Sequence, residues 1–303
     1  MSSSTRAPAS VSWRRRQRIA AYLFITPFFV LFILMMLVPL GYSGYLSTFR
    51  EQLIGGNAFV GLGNYVRALH DEQFLRGVLR VSVFLLVQVP VMLALALVFA
   101  LVLDSGRLRF ASLVRLGIFL PYAIPGVIAA LMWGFLYGQD FGPFAQAFRA
   151  VGLPAPEFLS SDWMLSSIGN IVTWSYTGYN MIIMYSALRA IPKDMYEAAR
   201  IDGAGELRLA WNIKIPAIRP ALLLTLIFSI IGSFQLFTEP QLLKSIAPVV
   251  VTGDYTPNLY AFTLAFSNSE LNYAAAVSFL LGITIMIISY VVQLTTQRRE
   301  RGR

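Results

Sequence analysis

Two groups of residues in this chain have types and spacings that could do chemistry. The first is a polar stretch, Glu197–Pro220, which reads EAARIDGAGELRLAWNIKIPAIRP between two long apolar segments. Pro192 suits the first turn of a helix, where its missing N–H is not needed. Asp194 and Glu197 lie near that end, where the helix dipole favours acids. The run MYEAARIDGA is helix-forming as far as Gly203, and a glycine there predicts a left-handed turn that ends the helix. A second short helix is expected over Glu206–Ile213, before Pro216 and Pro220 open the next apolar segment. Met195, Ala198, Ala199 and Asp202 recur at helical spacing, so one face carries small side chains that let a partner approach closely. A helix lying in the membrane surface would instead need large apolar residues opposed to lysines. The insert is shaped to be held by something else.

The second group comprises uncharged polar side chains inside the apolar runs: Thr173, Trp174, Ser175, Tyr176, Tyr179 and Asn180, then Ser229, Ser233 and Gln235. Such residues can bond a solute, or they can serve helix–helix hydrogen bonding and close packing. The runs themselves hold no Asp, Glu, Lys or Arg. A buried ionisable group is the usual mark of ion-coupled transport, so its absence suits a neutral solute such as a sugar.

Other chemistries are poorly served. The chain has no cysteine, which excludes disulfides, thiol catalysis and cysteine metal sites. One histidine, His70, stands beside Asp71 and Glu72 and reads as a solvated loop residue, since one imidazole makes no metal cluster. None of the three lysines, Lys193, Lys214 and Lys244, lies in a phosphate-binding loop. No metal or cofactor is expected on this chain, and energy must come from a partner or an ion gradient.

The elements that position these groups follow from composition. The chain is 57% hydrophobic and 13% charged over 303 residues, too little charge to cover a soluble surface. Apolar runs at Ile19–Tyr42, Val81–Leu103, Leu116–Tyr137, Met164–Leu188, Ala221–Leu236 and Ala274–Leu294 have about the 20-residue length of a membrane span. The fifth is the shortest and could extend back to Pro216 with Arg219 snorkelling to water. The runs are continuous and too long for the ~10-residue strands of a barrel. The expected fold is an all-α polytopic membrane protein of six transmembrane helices. With the N-terminus in the cytoplasm, 18 of the 24 Lys and Arg residues fall inside, which places both termini there. The net charge of +9 is thereby explained as a topology signal, not as nucleic-acid binding.

The expected organisation is a basic tail over residues 1–18, a six-span domain over 19–294 carrying the insert at 192–216, and a basic tail over 295–303. The start, SWRRRQRIAAYLF, resembles a secretory or twin-arginine signal, but its apolar run exceeds a signal core of about 7–15 residues. A retained first span is expected. The outer stretches Ser43–Gly77, Gly138–Trp163 and Phe237–Tyr273 are rich in Gly, Pro, Asn and aromatics; they either connect, or close over a solute or dock an external protein.

Glu197, Ala198, Ala199, Asp202, Gly203, Ala204, Ile213 and Pro216 together resemble the Glu-Ala-Ala signature of the membrane subunits of bacterial ABC importers. Departures occur at Ile215, where leucine is usual, and at Leu207 and Ala210, where bulky aromatics are frequent. They suggest a re-fitted ATPase contact using Trp211. AYLFITPFFVLFILMMLVPLGYSGYLSTF, FVGLGNYVRAL, FLPYAIPGVIAALMWGFLY and SFQLFTEPQLL resemble the sugar-permease branch typified by the maltose and glycerol-phosphate importers. The resemblance implies one permease half, in the bacterial plasma membrane, paired with a second permease subunit as a heterodimer. It implies a cytoplasmic ATPase dimer, which would carry ATP and Mg, and an extracytoplasmic sugar-binding protein. ATPase coupling would fall to Glu197, Ala198, Ala199, Asp202, Gly203 and Pro216. Matching to the maltose permease puts Ser175, Tyr176, Tyr179, Ser229 and Ser233 on the solute path. An ion-coupled secondary transporter of a neutral solute is the alternative. A membrane enzyme is less well supported, since the spans lack any His, Cys or acid cluster.

Overall fold

A computed structural model describes the backbone of residues 11–52 and 56–301. Most of the basic N-terminal tail lies outside the described residues.

The chain opens with α1 (Val11–Phe32), a π-helical turn (Ile33–Leu37) and α2 (Val38–Ser47), which form one apolar rod. A β-hairpin follows, β1 (Phe49–Gln52) pairing antiparallel with β2 (Gly56–Phe59), Phe49 opposite Phe59. This is the one departure from an all-helical chain among the described residues. α3 (Gly63–Leu69) leads to the long α4 (Glu72–Asp104). Asp71 caps α4 by accepting from the N–H groups of Gln73 and Phe74, at 2.9 and 3.3 Å.

α5 (Ala111–Ala123) and α6 (Gly126–Leu136) show that the apolar run Leu116–Tyr137 is not one continuous helix, because they meet at 95°. Pro125 is the cause. Its ring drives the preceding residue out of the helical region, and Ile124 is extended at φ −79°, ψ 127°. α7 (Pro143–Ala150) decorates the next connection, and α8 (Met164–Arg189) is continuous, as the sequence predicts.

The insert then forms α9 (Lys193–Ile201), α10 (Glu206–Leu209), a second π turn (Ala210–Lys214) and α11 (Ile215–Ala217). Both π turns stand just before a proline, Pro39 and Pro216. A wider turn accommodates a residue that lacks an N–H and crowds the preceding carbonyl. The fifth apolar run does not extend to Pro216: Ile218 leaves the helix at φ −95°, ψ 12°, and α12 (Arg219–Phe234) begins afresh. α13 (Thr238–Ile246) and α14 (Pro257–Phe266) give the stretch Phe237–Tyr273 far more structure than a connector. α15 (Leu271–Arg301) ends the described chain, so the expected C-terminal tail is helical as far as Arg301.

Four helical stretches are long and apolar enough to cross a membrane, Gln17–Ser47, Glu72–Asp104, Arg219–Ile246 and Leu271–Thr296, and the bent α5–α6 pair makes up to five. α8 has the length, but its Ser, Thr and Asn residues lower its apolarity.

Packing centres on α8 against α4 and α5. Gly178 lets α8 touch the backbone of α5, where an added Cβ would lie 2.7 Å from Phe119 Cα. One core joins Phe84, Met164, Ile168, Ile171, Leu243 and Leu259. A second joins Ala96, Ala100, Met181, Met184, Leu188 and Ile218, where small side chains again bring helices close. In contrast, the apolar window of the first rod buries 0% of its residues within the chain.

Candidate functional site

α4, α5, α8, α12 and α13 enclose a cavity of about 370 Å³. Val172, Tyr176, Tyr179 and Asn180 reach it from α8, sharing a face by their three- and four-residue spacing. Ser229 and Ser233 reach it from α12. The structure thus brings together Tyr176, Tyr179, Ser229 and Ser233 from the predicted path. It leaves Ser175 off the lining, since one residue along a helix turns the side chain by about 100°.

The cavity gains residues that the sequence reading passed over. Tyr122, at the end of α5, stacks on Tyr179 with ring centroids 4.7 Å apart and meets Tyr176 edge-on at 5.8 Å. Its signal was present in FLPYAIPG, since the proline-imposed bend halts α5 just beyond Tyr122. Gln88 donates from Nε2 to Thr173 Oγ1 at 3.2 Å, and its Oε1 is buried without a partner. Asn180 donates to the Tyr176 carbonyl at 3.0 Å, and Ser233 to the Ser229 carbonyl at 2.8 Å.

Glu239 also lines the cavity, at 9% exposure. This corrects the expectation of charge-free spans, because the apolar stretch Arg219–Ile246 includes it. The sequence reading left it in an outer connection. After a break at Phe237, α13 resumes and turns that stretch back onto the cavity.

The first half of the insert has the predicted shape, whereas the expected helix over Glu206–Ile213 is α10 followed by a π turn. Gly203 adopts φ +79°. The Gly203 N–H reaches the Arg200 carbonyl at 3.0 Å and the Ala204 N–H reaches the Ala199 carbonyl at 2.9 Å, a Schellman ending. Glu197, Ala198, Asp202 and Gly203 are exposed, while Ala199 and Pro216 are half-buried. Ile201, Leu207 and Trp211 are exposed on the same insert.

Lys214 is not a solvated topology charge. Its ammonium lies 2.8 Å from the Asp104 carboxylate, and the two side chains are only 4% and 3% exposed. Glu206 extends the pair, 3.7 Å from Lys214, 3.1 Å from Arg200 and 3.5 Å from Arg107. The Tyr196 hydroxyl donates to the Leu188 carbonyl at 3.4 Å. Burial pushes its phenol up to about 12; Asp104 adds to the rise, while Arg189 and Arg200 oppose it. The insert is therefore tied to the ends of α4 and α8.

On the opposite end of α4, the Tyr273 and Tyr260 hydroxyls donate to Asp71 at 2.6 and 2.7 Å. Burial pushes the Asp71 carboxyl up, but bonds from Tyr273, Tyr260, Phe74 and Gln73 outweigh it and hold the group below its ordinary 3.8. His70 is exposed at the end of α3, and among the described residues no acid and histidine cluster could hold a metal.

A cavity among apolar helices and a protruding helix-turn-helix insert define a membrane permease. The family model described as "Binding-protein-dependent transport system inner membrane component" matches residues 59–301, and the chain belongs to that family. Among its relatives, the lactose transport system permease protein LacF of Rhizobium radiobacter is 30% identical over 295 residues, covering 95% of this chain and 98% of that protein. The trehalose/maltose transport system permease protein MalF of Thermococcus litoralis is 28% identical, covering 92% of each. The arabinooligosaccharides transport system permease protein AraP of Bacillus subtilis is 27% identical, covering 91% and 88%. The fold matches a solved chain of a bacterial ABC transporter involved in the import of the acidic polysaccharide alginate. The TM-score is 0.83 at 19% identity, over 95% of this chain and 99% of that one.

Proposed function

We propose that this chain is the membrane-spanning permease subunit of an ATP-driven importer that moves a sugar, a di- or oligosaccharide, into a bacterial cell. The observation that carries this reading is the cavity. Its stacked tyrosines offer a face for the C–H side of a sugar ring, and Asn180, Ser229 and Gln235 offer hydroxyl partners beside it. The relatives with sugar transport in their names support the same class of solute.

In this reading the chain crosses the membrane six times, α8 included, with both ends in the cytoplasm. A second permease subunit covers the apolar rod of α1 and α2 together with lipid. A cytoplasmic ATPase dimer, holding ATP and Mg, grips Glu197, Ala198, Ala199, Asp202 and Gly203, with Ile201, Leu207 and Trp211 as apolar anchors. An extracytoplasmic binding protein delivers the sugar. Closure of the ATPase pair displaces the insert, and the buried Lys214–Asp104 pair passes that displacement to α4. α4 and α8 both wall the cavity, so access switches as they tilt.

The test is co-purification of the chain with its partner subunits, then ATPase measurement with binding protein loaded with a panel of sugars. ATPase activity stimulated by one loaded form is expected. A purified assembly without ATPase activity refutes the proposal. Single cysteines at Ala199 or Asp202 should crosslink to the ATPase without background, because the chain has none of its own.

A further inference from the structure

We propose that Glu239 is the specificity-determining residue of the cavity: it accepts hydroxyl or ammonium donors from the solute and turns away carboxylate- and phosphate-bearing ones. The inference rests on the cavity being the solute path.

Glu239 lies in the first turn of α13, nine-tenths buried, with its side chain on the cavity. Among the described residues no cation stands within ion-pair range of it, and no side-chain donor bonds to it. No Lys or Arg lines the cavity either. A buried carboxyl whose one protein donor is its own backbone N–H is costly to keep. The position in the first helical turn, where backbone N–H groups point outward, offsets part of that cost. What remains is an acceptor with unmet capacity. Gln88 also lines the cavity, but its Oε1 is shut away from it and its amide nitrogen is engaged by Thr173, so Glu239 is the acceptor the cavity presents. An unmet acceptor on the wall asks for a solute that brings donors. A polyhydroxylated ring does so, and its apolar face fits the stacked pair Tyr122 and Tyr179. A carboxylate or phosphate in the same place would set like charges together at low dielectric, with no cation to relieve them.

Two arms test this on the assembled importer, the first without reference to any sugar. A single Ser229→Cys on the cavity wall is labelled at pH 8 with methanethiosulfonate ethylammonium and ethylsulfonate. The ammonium reagent should react faster than its intrinsic preference, and adding Glu239→Gln should lower that ratio about tenfold by removing the local field. In the second arm, uptake of lactose, maltose and trehalose is compared. Glu239→Ala should raise KM for the transported sugar about tenfold, Glu239→Gln should recover most of it, and stimulation by loaded binding protein should persist in both. A reagent ratio unmoved by Glu239→Gln overturns the inference, and so does wild-type KM in Glu239→Ala. If Glu239→Ala does not assemble, Glu239→Gln still decides the first arm. A ratio that shifts while the wild-type importer moves none of these sugars supports the charge filter and removes the sugar reading instead.

Discussion

Gly203 ends α9 at φ +79°, and an ideal Cβ placed there would meet nothing within 4 Å. Any cost of substitution is therefore torsional and not steric. Holding a residue with a Cβ in the left-handed region costs about 1 kcal/mol for alanine and about 2 kcal/mol for valine. Asparagine, which tolerates that region, costs less. If the ATPase binds only the insert with this turn formed, apparent affinity falls by the fraction of molecules that lose it. At 1.4 kcal/mol per tenfold, that is at most about fivefold for Gly203→Ala and at most about thirtyfold for Gly203→Val. Gly203→Asn should stay within about threefold of wild type. The assay is titration of the purified ATPase against the permease pair in nanodiscs, read by assembly and by sugar-stimulated hydrolysis. The order of the series matters as much as its size. Wild-type assembly by Gly203→Val refutes the reasoning. A penalty for Gly203→Asn equal to that for Gly203→Val does so too, because side-chain bulk and not the turn would then be responsible.

The buried pair Lys214–Asp104 should behave as a unit. Lys214→Met alone strands a carboxylate at the C-terminal end of α4, where the helix dipole also opposes it, and should cost about 3–5 kcal/mol. Adding Asp104→Leu should restore most of the loss, as read from detergent-induced unfolding; a double variant as weak as the single would sink this account. Gly178→Ala forces a Cβ against the backbone of Ile118 and Phe119 and should destabilise by about 1–3 kcal/mol. Gly169→Ala, whose Cβ would meet only Phe84 and Gln88 side chains at 3.6 Å, should be tolerated; equal loss of folded protein in both would contradict the packing argument. Asp71 is held below 3.8, so its contribution is complete above that pH and is lost as pH falls through the lower folded value. Hydrogen exchange across α14 and the start of α15 should therefore be faster in Asp71→Asn than in wild type at neutral pH. The difference should close only in acid below 3.8, and a difference that closes near pH 6 would point to another group.

Local rules sufficed for the first half of the insert. Pro192, the acids at the start of α9 and the left-handed Gly203 each act within one or two helical turns, so their types and spacing carry the instruction for α9 and its ending. The α8 face was only partly legible: the polar run Thr173–Asn180 stood out, but it includes Ser175, which the helix turns away from the cavity that Tyr176 and Tyr179 line. The bend between α5 and α6 was also written locally, in the restriction that Pro125 places on Ile124, although the uninterrupted hydrophobicity of FLPYAIPGVIAALMWGFLY concealed it. Hydropathy reports transfer into lipid and is blind to the direction of the axis.

Sequence alone determined that this chain is a helical membrane protein with a polar insert, because runs of apolar residues and charge asymmetry are properties of neighbours along the chain. Tertiary structure decided which side chains meet. Glu239 and Ser229 stand ten residues apart across a broken helix, Tyr122 and Tyr179 fifty-seven apart on different ones, and Lys214 and Asp104 over a hundred apart. Their proximity depends on where α5 turns, where α12 stops and how closely Gly178 lets α8 approach. Burial then changes what each group is: a topology lysine becomes half of an ion pair, and a loop glutamate becomes the one acid on the cavity wall. No periodicity encodes that, since the desolvation that makes these groups consequential exists only once distant helices have closed around them.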